Sequence, residues 1–135
     1  MLAERYIAQL EETLESMKEE LTAMSRTIWE NPEIGHQEYK ASWMLMDMLR
    51  KNGFQVEEKL EGMDTAFQAV KKSGKPGPVI AFVAEYDALP KIGHACGHNL
   101  FCCSAVGAGI ALSQLLDELG GEIRVIGSPA EEGTV

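Results

Sequence analysis

The residues with the most chemistry to offer stand in two short clusters. One runs Glu85-Tyr86-Asp87-Ala88-Leu89-Pro90 and leads into Gly93-His94-Ala95-Cys96-Gly97-His98-Asn99; the other is Ser128-Pro129-Ala130-Glu131-Glu132-Gly133. Cys96 and His98 are two residues apart, and in an extended segment alternate side chains share a face. A thiolate and an imidazole converging in that way suit a soft-to-borderline metal ion. Zinc would take the sulfur at ~2.3 Å and the nitrogen at ~2.0–2.1 Å. Glu131 and Glu132 are adjacent carboxylates, one fit to hold a cation and the other to move a proton. Asp87 is of the type that orients a ligating imidazole from behind. Each residue has a plainer reading when taken singly: a buried small thiol for Cys96, solvated surface for the acid pair, loop hydrogen bonds for His94 and His98. Together, at Gly and Pro turns, they are hard to explain as packing.

These clusters need elements to carry them. Val79–Glu85 is a continuous apolar run, the pattern of a strand covered on both faces, and it delivers the first cluster at its carboxyl end. Ile123–Gly127 is a shorter strand that delivers the second. Thr65–Lys71 and, more weakly, Phe54–Lys59 alternate as strands do, and Lys72–Pro78 is a turn. Residues 100–119 are apolar and rich in Gly and Ala, which predicts a closely packed helix ended by Gly120-Gly121. Its positive end would face the acids of the two clusters. Ile7, Leu10, Leu14, Met17, Leu21, Met24 and Ile28 form one stripe at alternating spacings of three and four, predicting a long surface helix packed on a sheet in preference to a coiled coil. Asn31-Pro32 ends it. A second helix is expected from near Gln37 to Asn52, with Ala41, Leu45, Met48 and Leu49 inward and Gly53 as its stop. His36 falls in the loop between the two helices. Helices alternating with buried strands indicate a layered α/β domain, whose ligands bind beyond the carboxyl ends of the strands.

Composition sets the limits on partners. The chain has 135 residues, 45% hydrophobic and 24% charged, which excludes a disordered or collagenous protein. Twelve Lys and Arg stand against 21 Asp and Glu, a net charge of −9, with acids spread over both halves. No basic stripe exists to neutralise phosphates, so neither nucleic acid nor an anionic membrane is an expected partner. The N-terminus carries no signal-like apolar core, and the longest apolar run, Val79 to Ala84, is too short to span a bilayer. Three cysteines, two of them adjacent, do not make a disulfide framework, and a cytoplasmic setting is expected.

The two clusters, with Asn31-Pro32-Glu33 near the N-terminus, resemble the aminoacylase/carboxypeptidase superfamily of co-catalytic metallopeptidases. Within it they resemble the amidohydrolase branch, nearest its aminobenzoyl-glutamate hydrolase and dipeptidase-like members and related to hippurate hydrolase. Asn99 stands where many hippurate-hydrolase relatives have Asp. The resemblance covers nearly the whole chain. It implies the layered α/β/α catalytic domain of zinc peptidases, here truncated: residues 1–135 would be its N-terminal part, without the lid and dimerisation domain or the C-terminal part. It implies two divalent metal ions, zinc first, with manganese, cobalt or nickel as alternatives. Cys96, His98 and Glu132 would be metal ligands, Glu131 the general base and Asp87 the orienting carboxylate. Other branches place a ligating histidine where this chain has Glu85, so no ligand role is carried to that position. The substrate would be an N-acyl amino acid, aminobenzoyl-glutamate or a dipeptide, and the full-length protein a homodimer.

Further histidine ligands of the family are missing from the 135 residues, so the isolated chain is expected to bind metal weakly and not to turn over. Two other readings stay open. One is a thiol hydrolase with Cys96 as nucleophile, which leaves Glu131-Glu132 unexplained. The other is a non-catalytic metal or redox module using Cys96, Cys102 and Cys103, of which the last two lie inside the apolar helix.

Overall fold

The computed structural model describes residues 1–133. In chain order the elements are α1 (Leu2–Glu30), α2 (Tyr39–Lys51), β1 (Gln55–Glu58), a short 3-10 turn (Leu60–Gly62), β2 (Phe67–Lys72), β3 (Val79–Glu85), α3 (His98–Ser113), α4 (Leu116–Leu119) and β4 (Glu122–Ser128). The sheet order is β1-β2-β4-β3, antiparallel except for the β3–β4 pair, which is parallel. The link from β3 through α3 to β4 is therefore a βαβ crossover. It sets Glu85 beside Ser128 in register, so both clusters emerge from the same end of the sheet.

One face of the sheet carries the core. Phe67 and Ala69 of β2, Ile123 and Val125 of β4 and Ala84 of β3 join Leu45 and Leu49 of α2, Met24 and Ile28 of α1 and Val106 and Ile110 of α3 in one buried cluster. Full burial of a Leu, Ile or Phe side chain contributes about 1.5–3 kcal/mol, so this inner stripe holds α2 in place. Its start is fixed from outside the helix, where the Glu33 carboxylate accepts the N–H groups of Lys40 and Ala41 at 2.9 and 2.8 Å. Of the expected α/β/α layering, the described residues supply the sheet and the helical layer on this face.

Three expectations need correcting. Val79–Glu85 is a strand with the expected bounds, but it is an edge strand. Val79, Ile80 and Val83 are exposed, and no described element covers the strand's outer side. The apolar run registers a need for cover that the described residues meet on one face only. Helix α1 packs mainly on α3, not directly on the sheet. At ~1.5 Å per residue it is ~44 Å long against ~24 Å for α3, so the outer part of its stripe overhangs, leaving Ile7 and Leu14 exposed. Residues 100–119 are not one helix either: α3 begins at His98 and ends at Ser113, and a turn separates it from the single-turn α4. Among the described residues no helix is long and apolar enough to cross a membrane.

Candidate metal centre

The centre of the site is His98, the first residue of α3. Gly97 precedes it with φ of +80°, a left-handed conformation that glycine adopts without penalty. That reversal lets the loop turn directly into the helix and aims the imidazole back across the sheet edge. The ring is almost wholly buried. Its Nδ1 lies 2.9 Å from the main-chain oxygen of Asp87 and 3.0 Å from Asp87 Oδ1. Both partners are acceptors, so Nδ1 carries the proton and donates. In the neutral ring, Nε2 then presents its lone pair outward.

Carboxylates surround that lone pair. Nε2 is 3.3 Å from Glu85, 3.6 Å from Glu131 and 3.6 Å from Glu132. One ligand atom from each of Glu85, His98 and Glu131 lies within 4.8 Å of the others, a spacing one cation could bridge. Among the described residues, no Lys or Arg forms an ion pair with Glu85, Asp87, Glu131 or Glu132. Burial, and then the charge of Glu131, push the Glu85 carboxyl above its ordinary value. Negative groups crowded around one imidazole nitrogen, with no resident positive partner, are a donor set that a divalent cation would satisfy. Asp87 also reaches forward, its Oδ2 accepting the N–H of Glu132 at 3.0 Å. The N-terminus of α3 adds its positive dipole end to the cluster.

The expected site residues are therefore gathered unevenly. His98, Glu131, Glu132 and Asp87 meet at one point. Cys96 stands at the rim, exposed, beside Glu132 and outside the compact group. Cys96 and His98 do not share one extended segment, because Gly97 between them is left-handed and His98 opens a helix. The Glu132 carboxylate, as acceptor for S–H and then as a charge, pushes the Cys96 thiol up, the opposite of what a thiolate nucleophile needs. Cys102 and Cys103 are buried and unpaired. Their mutual hydrogen bond and burial raise the Cys102 thiol far above the ordinary range, as for inert packing thiols. His36 is exposed in its loop. His94 is buried, and neither ring nitrogen has a hydrogen-bond partner among the described residues.

No protein-family model matches the sequence, but individual relatives do. The chain is 35% identical over 133 residues to the Xaa-Arg dipeptidase of Mus musculus, aligning 90% of itself with 31% of that protein. It is 33% identical over 140 residues to thermostable carboxypeptidase 2 of Saccharolobus solfataricus, covering 93% and 35% of the two chains. A solved dinuclear metal-binding peptidase of the M20 family, from Bacillus subtilis, superposes with a TM-score of 0.77 at 31% identity, over 87% of this chain and 36% of that one. The chain's homologues are peptidases of the M20 family. It spans 31–36% of the length of these M20 relatives.

Sequence reasoning missed two acids at this site. Glu85 takes part in the cluster although no role was carried to it. The available signal was its spacing from Asp87 across one residue at a strand end, which returns both side chains to the same side. Glu38, wholly buried behind the site, had no local signal, since an acid in the first turn of an expected helix reads as solvated.

Proposed function

We propose that this chain carries the general base and part of the metal cage of a metal-dependent amide hydrolase. The observation that carries the reading is the convergence of Glu85, His98 and Glu131, with Glu132, beyond the carboxyl ends of β3 and β4 in a chain whose homologues are M20 peptidases. His98, Glu132 and Glu85 would hold a divalent cation, with Cys96 as a further donor at the rim. The relatives support two such ions, and imidazole with a thiolate favours zinc, while manganese, cobalt and nickel fit the carboxylates. The ions would supply an electrophile for the amide carbonyl and a water acidified toward neutrality.

The protein's own groups do the rest. Asp87 holds the proton on Nδ1 of His98 and so keeps Nε2 available to ligate. Glu131, the most exposed of the cluster carboxylates, takes a proton from the attacking water and delivers it to the leaving amine. The substrate class is that of the relatives: N-acyl amino acids, aminobenzoyl-glutamate or dipeptides. The 135 residues bring one imidazole to the cluster, a thin donor set for two ions, so the polypeptide alone would bind metal weakly and lack turnover.

The test uses the protein in its full natural length. A chelator should stop hydrolysis of an N-acyl amino acid or dipeptide, and zinc, manganese or cobalt should restore it. Glu131→Gln should keep bound metal and lose about 10²–10⁴-fold in turnover. Activity that survives chelation but is lost to thiol alkylation would replace this reading with the Cys96 hydrolase.

A further inference from the structure

Glu38 is 0% exposed, and both its carboxylate oxygens are engaged. Oε1 accepts the Thr65 hydroxyl at 3.2 Å, and Oε2 accepts the N–H of Ala130 at 2.8 Å. Ala130 immediately precedes Glu131. The N–H on the other side of Glu131, that of Glu132, is accepted by Asp87 Oδ2 at 3.0 Å. The amides flanking Glu131 are thus each held by a buried carboxylate.

Two independent features mark this turn as held rather than relaxed. Ala130 has φ of +52°, which non-glycine residues adopt uncommonly and keep only where the surroundings over-determine it. The loop carrying Glu38 lies directly beneath: a Cβ placed on Gly35 would come within 2.8 Å of the Ala130 Cβ. The platform is itself tied down, because the Tyr86 hydroxyl donates to the main-chain oxygen of Thr65. Glu38 therefore joins the start of α2, the start of β2 and the turn after β4.

We propose that Glu38 is a positioning residue: with Asp87 it clamps the turn of Ala130–Glu132 and sets the direction of the Glu131 side chain. This rests on the assignment of Glu131 as general base. An apolar residue could fill the space behind the turn, but it could not accept the Ala130 N–H. Without that acceptor the turn is free to leave its left-handed conformation and carry Glu131 away from His98.

The experiment compares Glu38→Ala, Glu38→Asp and Glu38→Gln with Thr65→Val in the full-length, zinc-loaded protein. It follows residue-resolved amide exchange together with kcat and KM. In Glu38→Ala the Ala130 and Glu132 amides should lose about tenfold or more of their protection, as for a lost charge-assisted hydrogen bond, while β2 and β4 amides keep theirs. Turnover should fall about 10–100-fold with KM within about twofold. Glu38→Asp withdraws the carboxylate by one methylene and should give the same loss if the alanine variant does not fold. Glu38→Gln retains an acceptor and should recover most of both readouts. Thr65→Val should lower thermal stability without changing exchange at Ala130. Unchanged exchange at Ala130 and Glu132, or a loss of protection spread evenly over the chain with kcat of the folded fraction intact, would overturn the proposal. A parent protein that hydrolyses no amide after zinc reloading would instead overturn the function reading, and the exchange data would still decide the clamp.

Discussion

Asp87 and His98 form a closed unit in which Nδ1 of the imidazole donates to both the main-chain oxygen and Oδ1 of Asp87, at 2.9 and 3.0 Å. The second carboxylate oxygen of Asp87 accepts the Glu132 N–H. One acid thereby sets the tautomer of the histidine and the position of a neighbouring carboxylate. Asp87→Asn can keep only one of these, since its amide has a single acceptor and its NH₂ would face either the imidazole N–H or the Glu132 N–H. Zinc affinity measured by titration calorimetry should fall about 10–100-fold, as for other residues that orient a ligand. An unchanged dissociation constant would separate Asp87 from metal binding.

Glu85 and Cys96 exchange the ranks expected from their residue types. The carboxylate lies in the compact group with His98 and Glu131, and the thiol lies outside it. Glu85→Gln should therefore weaken zinc binding by about tenfold or more, the loss of one charged donor. Cys96 has a spectral test of its own. In the cobalt-loaded protein a thiolate-to-metal charge-transfer band should be present and should vanish in Cys96→Ser. A parent spectrum with no such band would confine the cation to nitrogen and oxygen donors.

Helix α3 sits close on the sheet because of Gly109, where an added Cβ would come within 2.6 Å of Val125 Cγ2. Two effects compete in Gly109→Ala. Alanine gains about 0.8–1 kcal/mol of helix propensity, while overpacking a filled core costs about 1–3 kcal/mol. Overpacking should win, and the urea midpoint should fall with the slope unchanged. A rise in stability would mean that the α3–β4 contact has slack.

How legible all this was in the sequence depends on range. The bounds of β3, the stop of α1 at Asn31-Pro32 and the close packing of α3 follow from local rules: an apolar run, a proline, a string of small residues. The two clusters at neighbouring strand ends were legible because turn residues and metal-ligand types coincide there. What was not legible is set by tertiary partners. The burial of β3 depends on what lies beside it, and its sequence looks the same whether it is covered or exposed. That Cys96 and His98 do not share one extended segment follows from one left-handed residue, Gly97, that a two-residue spacing rule does not see. Glu38 becomes informative only when the turn of Ala130, more than ninety residues later, lands on it.

That contact has a consequence for stability against pH. Burial raises the Glu38 carboxyl above its ordinary value, the hydrogen bonds from Ala130 N–H and Thr65 oppose the shift, and the charge of Asp87 adds to it. Raised in the folded state, the group binds more protons folded than unfolded. Its contribution is fully present below the unfolded carboxylate value and is lost as pH rises through the folded one. Glu38→Gln keeps the shape and an acceptor but cannot ionise. The stability of Glu38→Gln relative to the parent should therefore increase as pH rises from the acid side of the carboxylate range to neutrality, in urea unfolding at constant ionic strength. A difference independent of pH would show that Glu38 titrates alike in the folded and unfolded chain, and a difference that shrank with rising pH would mean that the Ala130 and Thr65 hydrogen bonds outweigh burial.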